Sequence, residues 1–251
     1  MIPLIRGEFL KVRTTQVWFW MLLATIAVSG LLVVAQIAPS DGVRTGGDVP
    51  DLFASSSTAY VVVFVLGALG VTTEFRYQTI TPTVLQTPNR WTIVTAKMIT
   101  YAILGALYAL VAVAVQLIIA VPWLSSKGVE VDFGNGSVQH AIIGVFAVVA
   151  LFGIVGLGFG ALLRNQIVAV VVGILFLLVI ENIFLAIPKV REVWPYTPNG
   201  GIQAILHTTG STHVVDDVHL LSTTGGVIVL LLWAFVPAIV GAAFTMNRDI
   251  T

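Results

Sequence analysis

The chain contains no cysteine, so disulfides, thiolate metal sites and cysteine nucleophiles are excluded. It is also poor in charge. Only 10% of its 251 residues are charged, 12 basic against 12 acidic, while 57% are hydrophobic. An average soluble domain carries roughly 25% charge, so this chain has too few polar groups to coat a globule of its size. The same balance excludes disorder, which needs few apolar residues and many charged ones. No Gly-Lys pair occurs, so the chain lacks a P-loop and cannot hydrolyse ATP through one. No His-Glu-x-x-His occurs either, which leaves zinc-dependent intramembrane proteolysis without support. Nothing in the charge pattern asks for a nucleic-acid partner.

What the sequence holds in abundance is long apolar runs. A helix crossing the hydrocarbon core needs about 20 predominantly apolar residues. Six runs qualify: span 1 at 18–38, span 2 at 53–73, span 3 at 98–121, span 4 at 138–163, span 5 at 166–187 and span 6 at 226–246. These predict an all-α integral membrane protein with a single transmembrane domain over 1–251. The runs lack a period of two, so barrel strands are excluded.

Charge sorts the loops between the runs. The N-terminus, the 74–97 loop, the Arg164–Asn165 turn and the C-terminus hold eight basic residues: Arg6, Lys11, Arg13, Arg76, Arg90, Lys97, Arg164 and Arg248. The other side holds four: Arg44, Lys127, Lys189 and Arg191. The positive-inside rule then puts both termini in the cytoplasm. The first apolar run is too long for a signal peptide, so span 1 is expected to stay as an anchor. Ahead of it, Ile2, Ile5, Phe9 and Val12 share one helical face, which predicts a short interfacial helix on the inner leaflet. The competing reading is a charged tail that only sets orientation.

Two loops carry pattern. The 74–97 segment, EFRYQTITPTVLQTPNRWTIVTAK, has Pro82 and Pro88 with an apolar interval between them. A short helix, a break and re-entry after Pro88 would suit it, making a rigid cytoplasmic elbow. The external segment 188–224 contains WPYTPNGGIQAIL, and Val193–Leu206 is half apolar and suited to a helical dip into the membrane edge, covered by protein.

Few residues point to chemistry. Gly156, Gly158 and Ala161 match the spacing of a dinucleotide fingerprint but lie within an apolar span that follows no strand. Gly153, Gly156 and Gly160 read better as a small-residue stripe for helix packing. His213, Asp216, Asp217 and His219 fit no standard zinc spacing, so a solvated loop competes with a metal site there. Glu181 lies within span 5 beside Asn182. An acid there costs roughly 2.5–3.5 kcal/mol on insertion scales, which makes it a functional candidate. The alternative is that it reaches headgroups or bonds a neighbouring helix.

Glu74, Arg76, Thr79, Leu85, Pro88, Arg90, Trp91 and Lys97 stand where the type-2 permease family of ATP-binding-cassette transporters has its characteristic residues. The chain resembles that family, and its opening resembles short actinobacterial members. Gln78 departs from the glycine often found there. The resemblance implies a permease subunit of the bacterial plasma membrane with no ATPase of its own. Two permeases, identical or paired, would work with two nucleotide-binding subunits that hold ATP and Mg2+. It implies that Glu74, Arg76, Tyr77, Thr79, Pro82, Leu85, Pro88 and Arg90 form a coupling helix region against the ATPase. It further implies a substrate path along spans 2 and 5, with Tyr60, Phe64, Phe176, Glu181, Asn182 and Phe184 as lining candidates. The expected activity is ATP-driven export of an amphipathic or apolar substrate: a drug, lipid or peptide. The competing hypothesis is a proton-coupled secondary transporter using Glu181.

Overall fold

The computed structural model describes residues 1–39, 43, 45–78, 90–206 and 219–246. Among the described residues there is no strand, and six helices are long and apolar enough to cross a membrane. The first helix, α1 (Ile2–Thr14), precedes them. Its Phe9 and Val12 pack on the core, Ile2 is exposed, and the one residue it buries fully is Glu8.

Span 1 is α2 (Val17–Ile37). Span 2 is longer than its apolar run. It starts with a 3-10 turn at Gly46–Asp48, continues as α3 (Val49–Ala54), and passes a second 3-10 turn at Ser55–Thr58 into α4 (Ala59–Arg76). The early start has a local cause. Thr45 N and Oγ1 both donate to Asp48 Oδ2 at 2.9 Å, closing a capping box ahead of Pro50. The 3-10 turn at Ser55–Thr58 is tied to span 3 by Gln116, whose buried Nε2 donates to Leu52 O at 3.0 Å and Ser55 Oγ at 2.9 Å.

Span 3 is α5 (Arg90–Ser126), so the helix is already running at Arg90 and continues past Pro122. That proline removes a single backbone bond near the helix end, where a broken ladder costs least. Span 4 is α6 (Gly136–Leu163), opened by Asn135 Oδ1 accepting from Ser137 N at 2.9 Å and closed by Arg164 in the left-handed conformation at φ 51°. Span 5 comprises α7 (Gln166–Leu175), a π-turn at Phe176–Ile180 and α8 (Glu181–Ala186). A 3-10 turn at Arg191–Tyr196 and α9 (Pro198–Leu206) follow, and span 6 is α10 (Thr223–Met246).

Helix α6 is the hub, packing on α4, α5 and α10. Its glycines make this possible. A Cβ on Gly156 would run into the Phe64 carbonyl, one on Gly160 would sit 2.7 Å from Ala68 O, and one on Gly153 would meet Tyr101 O. The stripe therefore brings backbone against backbone between spans 2, 3 and 4. Span 1 and span 5 stand at the periphery with their apolar outer faces, such as Leu31, Ile167 and Val171, exposed as lipid contact requires.

Candidate functional site

Two further polar clusters interrupt this apolar body, one at the Arg76 end of span 2 and one that meets it midway, at Tyr60. The first surrounds the elbow. Lys97 Nζ lies 2.7 Å from both Glu8 Oε2 and Glu74 Oε1, and Lys11 Nζ lies 2.7 Å from both Glu8 Oε1 and Glu74 Oε1. Two lysines and two glutamates thus form a neutral quartet. Glu8, Glu74 and Lys97 are buried, while Lys11 is half exposed. Neutrality is the condition for burial, because an isolated charge in such a place costs several kcal/mol. Partial burial works to lower the Lys11 pKa, but hydrogen bonds and charge from Glu74 and Glu8 outweigh it, and the net displacement is upward.

Helix geometry assembles the quartet. Glu8 and Lys11 lie one turn apart on α1, Glu74 ends α4, and Lys97 sits two turns into α5. The elbow leaves α4 and returns at α5, so both its roots are tied to α1. Of the residues expected to contact an ATPase, Glu74 is therefore turned inward. Arg76 is exposed, donates from Nη1 to Gln166 Oε1 at 3.2 Å, and stands 5.7 Å above the exposed Tyr77 ring. Gln78 takes a positive φ of 55° in the position where a glycine is often found. Trp91 is exposed. Thr79, Pro82, Leu85 and Pro88 lie outside the described residues, as does the side chain of Arg90.

The second cluster joins span 5 to span 2. Glu181 is fully buried. Its Oε2 accepts the Asn199 backbone N–H at 2.8 Å, and its Oε1 has no hydrogen-bond partner among the described residues. The Asn199 side chain then bridges the two spans. Its Nδ2 donates to Leu177 O at 2.7 Å, within the π-turn, and its Oδ1 accepts from Tyr60 Oη at 2.9 Å. In the π-turn the Glu181 N–H bonds back to Phe176 O, five residues earlier. Such a turn inserts one residue and resets the direction of those that follow, a device frequent at functional sites. Here Glu181 faces inward, while Asn182 is exposed and spends its amide on Leu178 O at 2.8 Å.

Aromatic rings lie below this bridge. Phe64 meets Phe159 edge to face at 5.4 Å between centroids, and Phe176 contacts Trp233 at 5.3 Å. Phe159 also reaches Phe176 and Trp233 at 6.3 and 6.4 Å. The Phe64 ring fits because Gly173 has no side chain to meet it. Trp233 Nε1 donates to Tyr196 O at 3.0 Å, tying span 6 to the 3-10 turn at Arg191–Tyr196. The structure thus brings together Tyr60, Phe64, Phe176 and Glu181, and turns Asn182 away; Phe184 is half-buried.

Sequence reasoning missed Glu8, Lys11, Asn199, Phe159 and Trp233 as site residues. For Glu8 a signal existed, since Glu8 and Lys11 form an i, i+3 pair on a helix already predicted. For Asn199 there was none, because its partners are 18 and 139 positions away. Of the His/Asp group between spans 5 and 6, His213, Asp216 and Asp217 lie outside the described residues, and no group able to hold a metal ion occurs among the described ones.

A family model described as ABC-2 family transporter protein matches residues 4–182. That stretch takes in the whole quartet and ends one residue beyond Glu181. No curated protein matches the chain.

Proposed function

The chain belongs to the ABC-2 family of transporter proteins, and from that premise we propose that it is the permease subunit of an ATP-driven exporter. ATP and Mg2+ are bound and ATP is hydrolysed in a separate nucleotide-binding subunit. Two permease chains, identical or related, assemble with two such subunits in the bacterial plasma membrane, with both termini cytoplasmic. The elbow between α4 and α5 couples them. The cargo is amphipathic or apolar, a drug, lipid or peptide, and moves along spans 2 and 5.

The observation that carries this reading is the buried quartet at the roots of the elbow. A force applied to the elbow cannot move α4 without α5 and α1, because separating them strands a charge in a place that does not tolerate one. The elbow is therefore a handle on three helices. ATP shifts the permease between inward- and outward-facing states only by binding them with different affinity, and this handle transmits that difference.

A mild-detergent pull-down of the tagged chain, with mass spectrometry of what accompanies it, tests the reading. A stoichiometric P-loop ATPase that is lost when residues 79–89 are replaced is expected. A single species that transports in liposomes without ATP would overturn it.

One observation favours a second reading. Glu181 Oε1 is buried without a hydrogen-bond partner among the described residues, as a protonatable group in a proton-coupled secondary transporter would be. That reading requires uptake or release driven by a pH gradient and abolished by Glu181→Gln.

A further inference from the structure

Beside the quartet lies a cavity of about 300 Å³, bounded by α1, α2, α4, α5 and the first residue of α7. Its volume is at the lower end of the roughly 300–1,000 Å³ typical of small-molecule pockets. The lining divides by chemistry. Val12, Val17, Leu66 and Leu69 supply an apolar wall, and Lys11, Tyr77 and Gln166 supply the polar side.

The polar side has hydrogen-bond donors to spare. An ammonium has three N–H groups, and Lys11 spends two of them on Glu8 and Glu74. The Gln166 carbonyl oxygen is taken by Arg76, and its NH2 group has no partner among the described residues. The Tyr77 side chain is exposed. The two carboxylates in the lining are each shared between both lysines, so the quartet is neutral, and Arg76, bonded to Gln166 from outside the lining, adds positive charge nearby. The N-terminus of α7, capped by Asn165 Oδ1 at 3.0 Å from Ile167 N, adds its positive end on the same side. Depth is marked as well. Thr15 and Val17 of the lining adjoin Phe19 and Trp20, which are exposed aromatics at the end of span 1, where such residues sit at the headgroup level.

We propose that this cavity seats the head of one anionic phospholipid of the inner leaflet, with the upper part of one acyl chain on the Val12–Val17–Leu66–Leu69 wall and the phosphate at Lys11 and Gln166. The proposal rests on the cytoplasmic orientation given above. The bound lipid braces α1 against α4 beside the quartet, so the interfacial helix keeps its grip on the elbow only in a membrane that supplies an anionic head. An apolar molecule would leave the spare donors unpaired, and a bare anion would leave the apolar wall facing water.

The test is native mass spectrometry of the full chain in neutral detergent, offered phosphatidylglycerol, phosphatidylcholine or inorganic phosphate. One retained phosphatidylglycerol per chain is expected, preferred about fivefold or more over phosphatidylcholine, in line with the contribution of one basic residue near an anionic headgroup. Gln166→Glu, a change at the rim, should erase that preference. Leu69→Trp, which fills the wall, should lower retention of both lipids. Equal retention of the two lipids, or a preference untouched by Gln166→Glu, would overturn the proposal. Displacement of the lipid by inorganic phosphate at matched concentration would make this a phosphate site instead. None of these readouts needs an ATPase partner, so this proposal and the exporter reading fail separately.

Discussion

Lys97 and Glu74 form a 2.7 Å ion pair across the two roots of the elbow, 23 positions apart in the chain. The pair is buried and shared with Glu8 and Lys11, so its members are interdependent in a way that an exposed pair would not be. Removing Lys97 leaves Lys11 alone against two carboxylates. Breaking a buried pair from one side typically costs about 3–5 kcal/mol. Lys97→Ala is therefore expected to lower the melting temperature in detergent sharply. The double swap Glu74→Lys with Lys97→Glu should recover part of the loss. A melting temperature unchanged in Lys97→Ala would show that the quartet is not held in solution.

Charge reversal at Arg76 and at Glu74 should give different phenotypes, although the two residues are neighbours. Arg76 is exposed, so on the proposed function Arg76→Glu is expected to insert and melt normally while losing the effect on ATP hydrolysis by the proposed nucleotide-binding subunit. Glu74 is buried, so Glu74→Lys should lose stability as well as coupling. Melting curves and ATPase assays on the same membranes separate the two. Wild-type coupling in Arg76→Glu would remove that residue from the partner surface.

The glycines of α6 differ from that of α1. At Gly156 even a methyl group meets the Phe64 carbonyl, whereas at Gly7 nothing lies within 4 Å. Gly156→Ala should force spans 2 and 4 apart at a cost of about 1–3 kcal/mol, the usual range for overpacking. Gly7→Ala should be neutral or mildly favourable, because alanine suits a helix better than glycine. Equal melting temperatures for the two variants would contradict the close approach.

Asn199 bonds α9 to two spans at once. Asn199→Ala keeps the backbone N–H on Glu181 but strips partners from Tyr60 Oη and Leu177 O. Leaving such groups unsatisfied costs about 1–3 kcal/mol each. Faster hydrogen exchange over 191–206, with the elbow end unaffected, is the expected signature. Exchange raised equally throughout would mean general unfolding instead.

The raised Lys11 pKa gives stability a defined alkaline limit. A group whose folded pKa lies above its unfolded value contributes fully below the unfolded value and is lost as pH rises through the folded one. The Lys11 contribution should therefore be intact up to its ordinary value of 10.5 and disappear above it. Lys11→Arg, which keeps its charge, should melt at a higher temperature than the native chain above that pH. No difference between the two would show that Lys11 does not titrate with folding.

Much of the architecture was legible in the residues. The six spans follow from hydropathy alone, since lipid leaves a chain of this composition no alternative to helices. Their ends were less legible. Span 2 begins at Gly46, seven positions before its apolar run, because a capping box started a helix that hydropathy does not register. Span 3 passes Pro122, because a proline near a helix end breaks too few bonds to stop it. At the sites, the sequence singled out Tyr60, Glu181, Glu74 and Lys97, but not Asn199, Glu8 and Lys11, which bond them. An acid in an apolar run is conspicuous wherever it points, while the groups that satisfy it are ordinary residues elsewhere in the chain.

Composition and period therefore determined the class, the number of spans and the residues too polar to be ignored. These depend on transfer free energy and local geometry, which each segment carries by itself. Tertiary packing alone decided that Glu8 closes a quartet with Lys11, Glu74 and Lys97, that a π-turn aims Glu181 at Asn199, and that three glycines of α6 let spans 2 and 3 touch it. Each of these turns on which helix faces meet, and a burial preference specifies that a face is covered without specifying by what.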